Sequence, residues 1–137
     1  MASPRKTRTR SKLVKAISEP TSSEKYRPTI KECREWFIIL NKEIFEDRLD
    51  SFRNMKVSRR HGCWGEVTAE QTRTSRFTTL SMNHHFKSKK HFIEVLGHEM
   101  IHHYQWTVMN ESMTHGETFF TWKDRFAKLG MSLTIES

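Results

Sequence analysis

The sequence predicts an α+β domain: a packing helix, a small antiparallel three-stranded sheet, a long helix and a last helix. Three observations point to it. Apolar residues recur at spacings of three and four near residues 30–45, 89–108 and 117–129. Three short strand-like runs lie between the first two of these segments, one alternating and two rich in β-branched and aromatic residues. The chain has 137 residues, which suits one domain with a modest single core.

Residues 1–28 read as a disordered basic tail, and residues 29–137 as the domain. The tail holds all three prolines, many Ser and Thr, and few large apolar residues. Eight Lys or Arg and two Glu fall within residues 1–29, so residues 30–137 carry only +2 of the chain's net charge of +8. A solvated tail that aids solubility is one reading. The other is an arm that pairs with phosphates through Arg5, Lys6, Arg8, Arg10, Lys12 and Lys15, with affinity that falls steeply as salt rises.

Thr29 can cap a helix that begins at Ile30 and ends near Asp47. Ile30, Cys33, Phe37, Leu40 and Ile44 form its apolar face, and Glu32 and Glu35 suit the helix dipole near its start. "MKVSR" (55–59), "CWGEVTA" (63–69) and "FTTLSM" (77–82) read as strands of a meander. A helix from about Lys89 to Val108 is apolar on most sides, which places it in the middle of the domain. "MNESMTHGE" is a loop. A helix near Glu117–Leu129 ends at Gly130, and "MSLTIE" can form a short strand.

Several classes are excluded. No run approaches the 18 or so apolar residues of a membrane helix, and no apolar segment follows the first basic residues as in a secretory signal. The Arg-, Ser- and Thr-rich start resembles a transit peptide only loosely, because it shows no clear amphipathic helix. Cys33 and Cys63 cannot build a four-cysteine zinc site and read as reduced thiols. An intracellular protein, cytoplasmic or nuclear and nucleoid-associated, is expected. The sequence carries no signal of oligomeric state.

The chemistry lies in "HEMIH", residues 98–102, an H-E-x-x-H pattern in the long helix. Four residues turn a helix through 400°, so His98 and His102 project from one face and can reach one metal ion. Glu99 lies beside that face, placed to hold a water and act as general base. With 8 His and 13 Glu in the chain, chance alone produces the pattern too readily for it to stand by itself. The context strengthens it, because two imidazoles and a carboxylate are costly in an apolar helix. A catalytic zinc site wants three protein ligands and one open position. The third comes from His115, or from Glu117 as the alternative. The Gly and His that a longer form of the motif needs are replaced by Gln105 and Val108.

These motifs resemble the SprT-like domain family, the metalloprotease domain also found in the DNA–protein-crosslink protease Spartan. The matching stretches are "LNKEIFEDRL", "FTTLSMN", "VLGHEMIHHY" and "THGETF", with His-Gly and a Phe three residues after the Gly, and they span about residues 30–130. The resemblance implies a zincin-like minimal metalloprotease fold. It implies one Zn2+ held by His98, His102 and His115, with Glu99 activating water. It also implies that the strand at 77–82 flanks the cleft and offers its edge to an extended protein substrate. Two departures stand out. No cysteine follows Cys63, so the Cys-rich zinc ribbon of some members is not among these residues and the basic tail is the expected DNA contact. Gly97 stands where a larger aliphatic residue is common, and can allow close packing beneath the site.

The remaining conspicuous residues have plainer expectations. His103 lies 100° round from His102 and cannot share its metal. His84 and His85 are loop residues or line the cleft, and His61 and His91 have no evident partner. Trp64 belongs to the core or lines the cleft, while Trp36, Trp106 and Trp122 belong to the core. Glu117 can orient a ligand. The function expected is a zinc-dependent endopeptidase cleaving proteins bound or crosslinked to DNA. The alternatives are a non-catalytic, zinc-stabilised nucleic-acid-associated protein and a zinc hydrolase with a non-peptide substrate.

Overall fold

The computed structural model describes residues 4–19 and 25–134, with side chains from residue 8 onward. The elements run α1 (Pro4–Ser18), α2 (Ile30–Phe45), β1 (Asn54–Ser58), β2 (Gly65–Gln71), β3 (Arg76–Asn83), α3 (Lys89–Thr107), α4 (Glu117–Phe120) and α5 (Lys123–Lys128). The class is α+β, as expected. No helix among the described residues is long and apolar enough to cross a membrane.

The first correction concerns residues 1–28. Pro4–Ser18 is a helix, not part of a disordered tail. Leu13, Ala16 and Ile17 form one stripe and are buried where α1 meets α2 and α3. Three apolar residues suffice because the rest of the domain supplies the surface that buries them. Composition averages over the helix and misses such a stripe. Pro4 opens it, where the missing N–H leaves no bond unmade. Arg8, Arg10, Lys12 and Lys15 are exposed on this helix, and Lys12 Nζ lies 5.8 Å over the Trp36 ring. The side chains of Arg5 and Lys6 lie outside the described residues.

α2 begins where the sequence places it. The Thr29 hydroxyl accepts the Glu32 N–H at 3.1 Å while Glu32 Oε1 accepts the Thr29 N–H at 3.1 Å, a complete capping box. Asn41 then closes the following turn, with its amide bonded both ways to the Leu49 backbone.

The sheet is the second correction. It is mixed, in the order β1-β3-β2, with β1 parallel to β3 and β2 antiparallel to it. A meander would have put β2 in the centre. Instead β3 takes the centre, and all eight of its residues are buried or half-buried, Leu80 and Met82 completely. β1 alternates between exposed and half-buried, with Lys56 pointing outward, as an edge strand can.

α3 lies between the sheet on one side and α1 and α2 on the other. This enclosure explains why it is buried almost without interruption from Phe92 to Gln105. The expected last helix is broken into α4 and α5 at Thr121 and Trp122, where Trp122 turns its ring onto Phe45 (centroids 4.6 Å apart) and Tyr104 (5.0 Å). Gly130 terminates α5 with φ +81°. Met131–Thr134 forms no strand, and the rest of "MSLTIE" lies outside the described residues.

Gly97 has the reason the sequence hinted at. A Cβ there would stand 2.8 Å from Phe126 Cζ and 3.0 Å from its Cε2. Phe126 is fully buried, so its ring has little room to retreat. Alanine should improve helix propensity by about 1 kcal/mol, against an overpacking penalty of about 1–3 kcal/mol. Gly97→Ala is therefore expected to lower the urea midpoint. A midpoint equal to or above that of the wild type would contradict this packing.

Candidate metal centre

α3 carries His98 and His102 one turn apart, and the loop before α4 brings His115 to them. The three Nε2 atoms form a nearly equilateral triangle with sides of 3.2, 3.1 and 3.2 Å. Together these residues could hold a metal ion. Glu117, the alternative third ligand, is exposed in the first turn of α4 and is not in the cluster. His98 and His102 are buried and His115 is exposed, so the triangle is rooted in the core and reaches the surface on the loop side.

The donor chemistry fits a cation. His98 Nδ1 stands 2.9 Å from the Thr134 carbonyl oxygen, which can only accept, so Nδ1 carries the proton and Nε2 is bare. His102 Nδ1 stands 2.9 Å from Gln105 Oε1. That oxygen also accepts the Thr114 N–H at 3.2 Å, which fixes the orientation of the amide and makes the Nε2 of His102 bare as well. Two lone pairs therefore face each other at 3.2 Å, a repulsive arrangement without a cation between them. A tetrahedral zinc with Zn–N bonds of about 2.0–2.1 Å sets its nitrogens roughly 3.3 Å apart, close to the triangle observed. Burial, reinforced by His102 and His115, pushes the His98 pKa down to about 3 and keeps the ring in the neutral form a metal needs. Burial also lowers that of His102.

Phe119 lies beneath all three rings, with centroids 4.8, 5.3 and 4.9 Å from those of His98, His102 and His115. It is the Phe of "THGETF", and it is fully buried. Glu99 is 2% exposed. The start of β2 presses on its stem: a Cβ on Gly65 would lie 3.2 Å from Glu99 Cγ and 3.1 Å from Val95 Cγ1. A larger residue here would require these side chains to give by a few tenths of an ångström.

A cleft of about 180 Å³ opens beside His98, lined by Trp64, Lys87, His91, Val95, His98 and Thr134 among others. Trp64 is half-buried and faces the cleft, with its ring edge-on to His91 (4.7 Å) and His85 (5.7 Å). His84 accepts a bond from Arg27 Nη1 at 3.3 Å. His103 takes no part in the cluster. Its Nδ1 bonds the Thr78 hydroxyl and its Nε2 the Asp50 carbonyl, both at 2.6 Å, between the rings of Phe37 and Phe52. Trp36 and Trp122 are core, whereas Trp106 is half-buried and donates to the Glu70 carbonyl at 2.9 Å. Cys33 is buried, Cys63 is half-buried, and both are free thiols.

His91 has a partner after all: its Nδ1 accepts the Lys87 N–H at 3.1 Å. Burial, with Lys87, pushes its pKa from 6.5 to about 4. The folded value lies below the unfolded one, so the neutral ring adds stability that is present above about pH 6.5 and is lost as pH falls through 4. Metal-free wild type should lose unfolding free energy over this window more steeply than His91→Gln, by a slope of at most one proton. Parallel urea-derived pH profiles would refute the assignment.

The sequence reading missed Gln105 as a partner of His102 and Thr134 as a partner of His98. Gln105 offered one clue, as an amide in an apolar helix. Thr134 acts through its backbone and offered none.

An H-E-x-x-H helix buried in an α+β domain, with a third histidine returning from the next loop, is an arrangement that could hold a metal ion and is compatible with a metalloprotease-like domain. The model of the SprT-like family matches residues 33–137, and the chain belongs to that family. No curated protein matches the chain.

Proposed function

We propose that this protein is a zinc-dependent endopeptidase that cleaves proteins bound or crosslinked to DNA inside the cell. The observation that carries the reading is the triangle of three imidazole nitrogens, two of them bare and on the helix that also buries Glu99. Three protein nitrogens, one of them on an exposed residue, leave a coordination position open, as in catalytic rather than structural zinc sites. Zinc held by His98, His102 and His115 would supply a Lewis acid that polarises a carbonyl and acidifies water.

The rest is the work of the chain's own residues. Glu99 takes the proton of the attacking water and returns it to the leaving amine. It directly follows His98 on α3 and is 2% exposed. The substrate cannot pair with β3, because β1 and β2 already occupy both of its edges. Of the two outer edges, that of β2 lies by the site: its first residues, with Trp64, adjoin Glu99 and the cleft. An extended polypeptide added there would place a side chain against Trp64.

DNA contact is supported by charge. α1 presents Arg8, Lys12 and Lys15 at spacings of four and three on one face. Near the cleft, desolvation lowers the pKa of His85, and Lys25, His84, Arg27 and Arg59 act in the same direction, which marks a cationic surface. Metal analysis of the purified protein tests the reading, together with cleavage of a protein–DNA conjugate, a free protein and an ester, each with and without DNA. Bound zinc and DNA-stimulated proteolysis that declines with salt are expected. A protein that holds no metal, or one that cleaves only the ester, would end it.

A further inference from the structure

We infer that Gln105 is a positioning residue that couples the orientation of His102 to the placement of His115. This rests on the zinc-site reading and adds to it a residue on which the third ligand depends. Gln105 is completely buried and lies three residues after His102 on α3. Its Oε1 accepts from His102 Nδ1 at 2.9 Å and from the Thr114 N–H at 3.2 Å. Its Nε2 donates to the Thr114 carbonyl at 3.1 Å and to Thr118 Oγ1 at 3.1 Å. Its own carbonyl accepts the Glu111 N–H at 3.0 Å.

One side chain therefore touches three parts of the site. It sets the tautomer of His102, grips both polar groups of the residue before His115, and reaches the helix that carries Phe119. The start of the loop is tied by the Val108 and Met109 N–H groups to the Tyr104 carbonyl, and Met113 packs half-buried against the core, but the stretch that carries His115 is open. Thr114, His115 and Gly116 are exposed, and Asn110 sits at φ +54°. An amide suits this place because it accepts on one side and donates on the other. A leucine would match its bulk but leave the His102 and Thr114 N–H groups without their acceptor.

The test measures zinc affinity by competition with a chelating dye for wild type, Gln105→Leu, Gln105→Glu, His115→Ala and the two double variants. It also measures thermal stability and amide exchange at Thr114, both in the metal-free proteins. Gln105→Leu should bind zinc about 10–100-fold more weakly and expose the Thr114 amide. Gln105→Glu keeps the acceptor for His102 but loses the donations to the Thr114 carbonyl and the Thr118 hydroxyl, so it should fall between Leu and wild type. In the His115→Ala background the penalty of Gln105→Glu should vanish, because the ligand it places is already gone.

A merely structural glutamine would lower the melting temperature of the metal-free protein and leave zinc affinity well below that temperature unchanged. That result overturns the inference. So does an equal penalty with and without His115, which would confine the effect to His102. Should Gln105→Leu fail to fold, the Gln105→Glu pair alone decides between these outcomes. If wild type binds no zinc, the zinc-site reading fails by itself. The Thr114 exchange rate in the metal-free proteins then still shows whether Gln105 holds the loop.

Discussion

Glu99→Gln should abolish proteolysis while zinc stays bound. The substitution keeps the shape of a side chain that is 2% exposed, and leaves the three imidazoles untouched. What it removes is a group able to take and return a proton. A positioned general acid–base contributes about 10²–10⁴-fold, so kcat should fall by at least that span with KM little changed. Stability should not suffer, since a neutral amide is less costly to bury than a carboxylate. The informative comparison is zinc content and turnover on the same preparation. Wild-type turnover in the Gln variant would remove Glu99 from the mechanism. Loss of zinc along with activity would make it a structural prop of the site instead.

His115→Ala should have the second largest effect, on a different quantity. His115 is exposed and lies in a loop, so its removal opens no cavity in the core. The metal-free protein should unfold at nearly the wild-type temperature. Zinc affinity should drop by more than the roughly 100-fold that loss of an orienting partner can cause, because a ligand itself is gone. With zinc at 1,000 times the wild-type Kd, binding stabilises by about 4.1 kcal/mol, and a 100-fold weaker site retains only about 1.4 kcal/mol. Differential scanning with and without zinc reads this directly. Were the zinc-induced rise in melting temperature to persist in the alanine variant, the third ligand would lie elsewhere.

Much of this site was legible because it is written in side chains at short range. HEMIH places two imidazoles on one face by helix geometry alone, and Thr29 with Glu32 announces the start of α2 by a pairing only three residues long. His115 could be narrowed to one of two candidates because few ligand-type residues follow the helix. The strand order was less accessible. Three short runs joined by polar turns read as a meander, yet β3 sits between β1 and β2 because its residues are buried along most of its length while theirs are not. That swap moves the free edge beside Glu99 from β3 to β2 and with it the place where a substrate can pair. The basic segment misled in another way. Leu13, Ala16 and Ile17 are too few to signal a helix in isolation, and gain their meaning from the surface of α2 and α3.

By itself, then, the sequence determined the α+β class, the long central helix, the pair of histidines on one face of it and the carboxylate beside them, since each follows from spacing within one element. The tertiary structure alone decided which strand is central, that residues 4–18 are a helix, and how the ligands are held. Thr134 orients His98 from 36 residues away through a carbonyl that any residue would supply, and Gln105 joins His102 to the loop of His115. Such contacts form between groups that the chain separates and only packing brings together, so no local pattern records them.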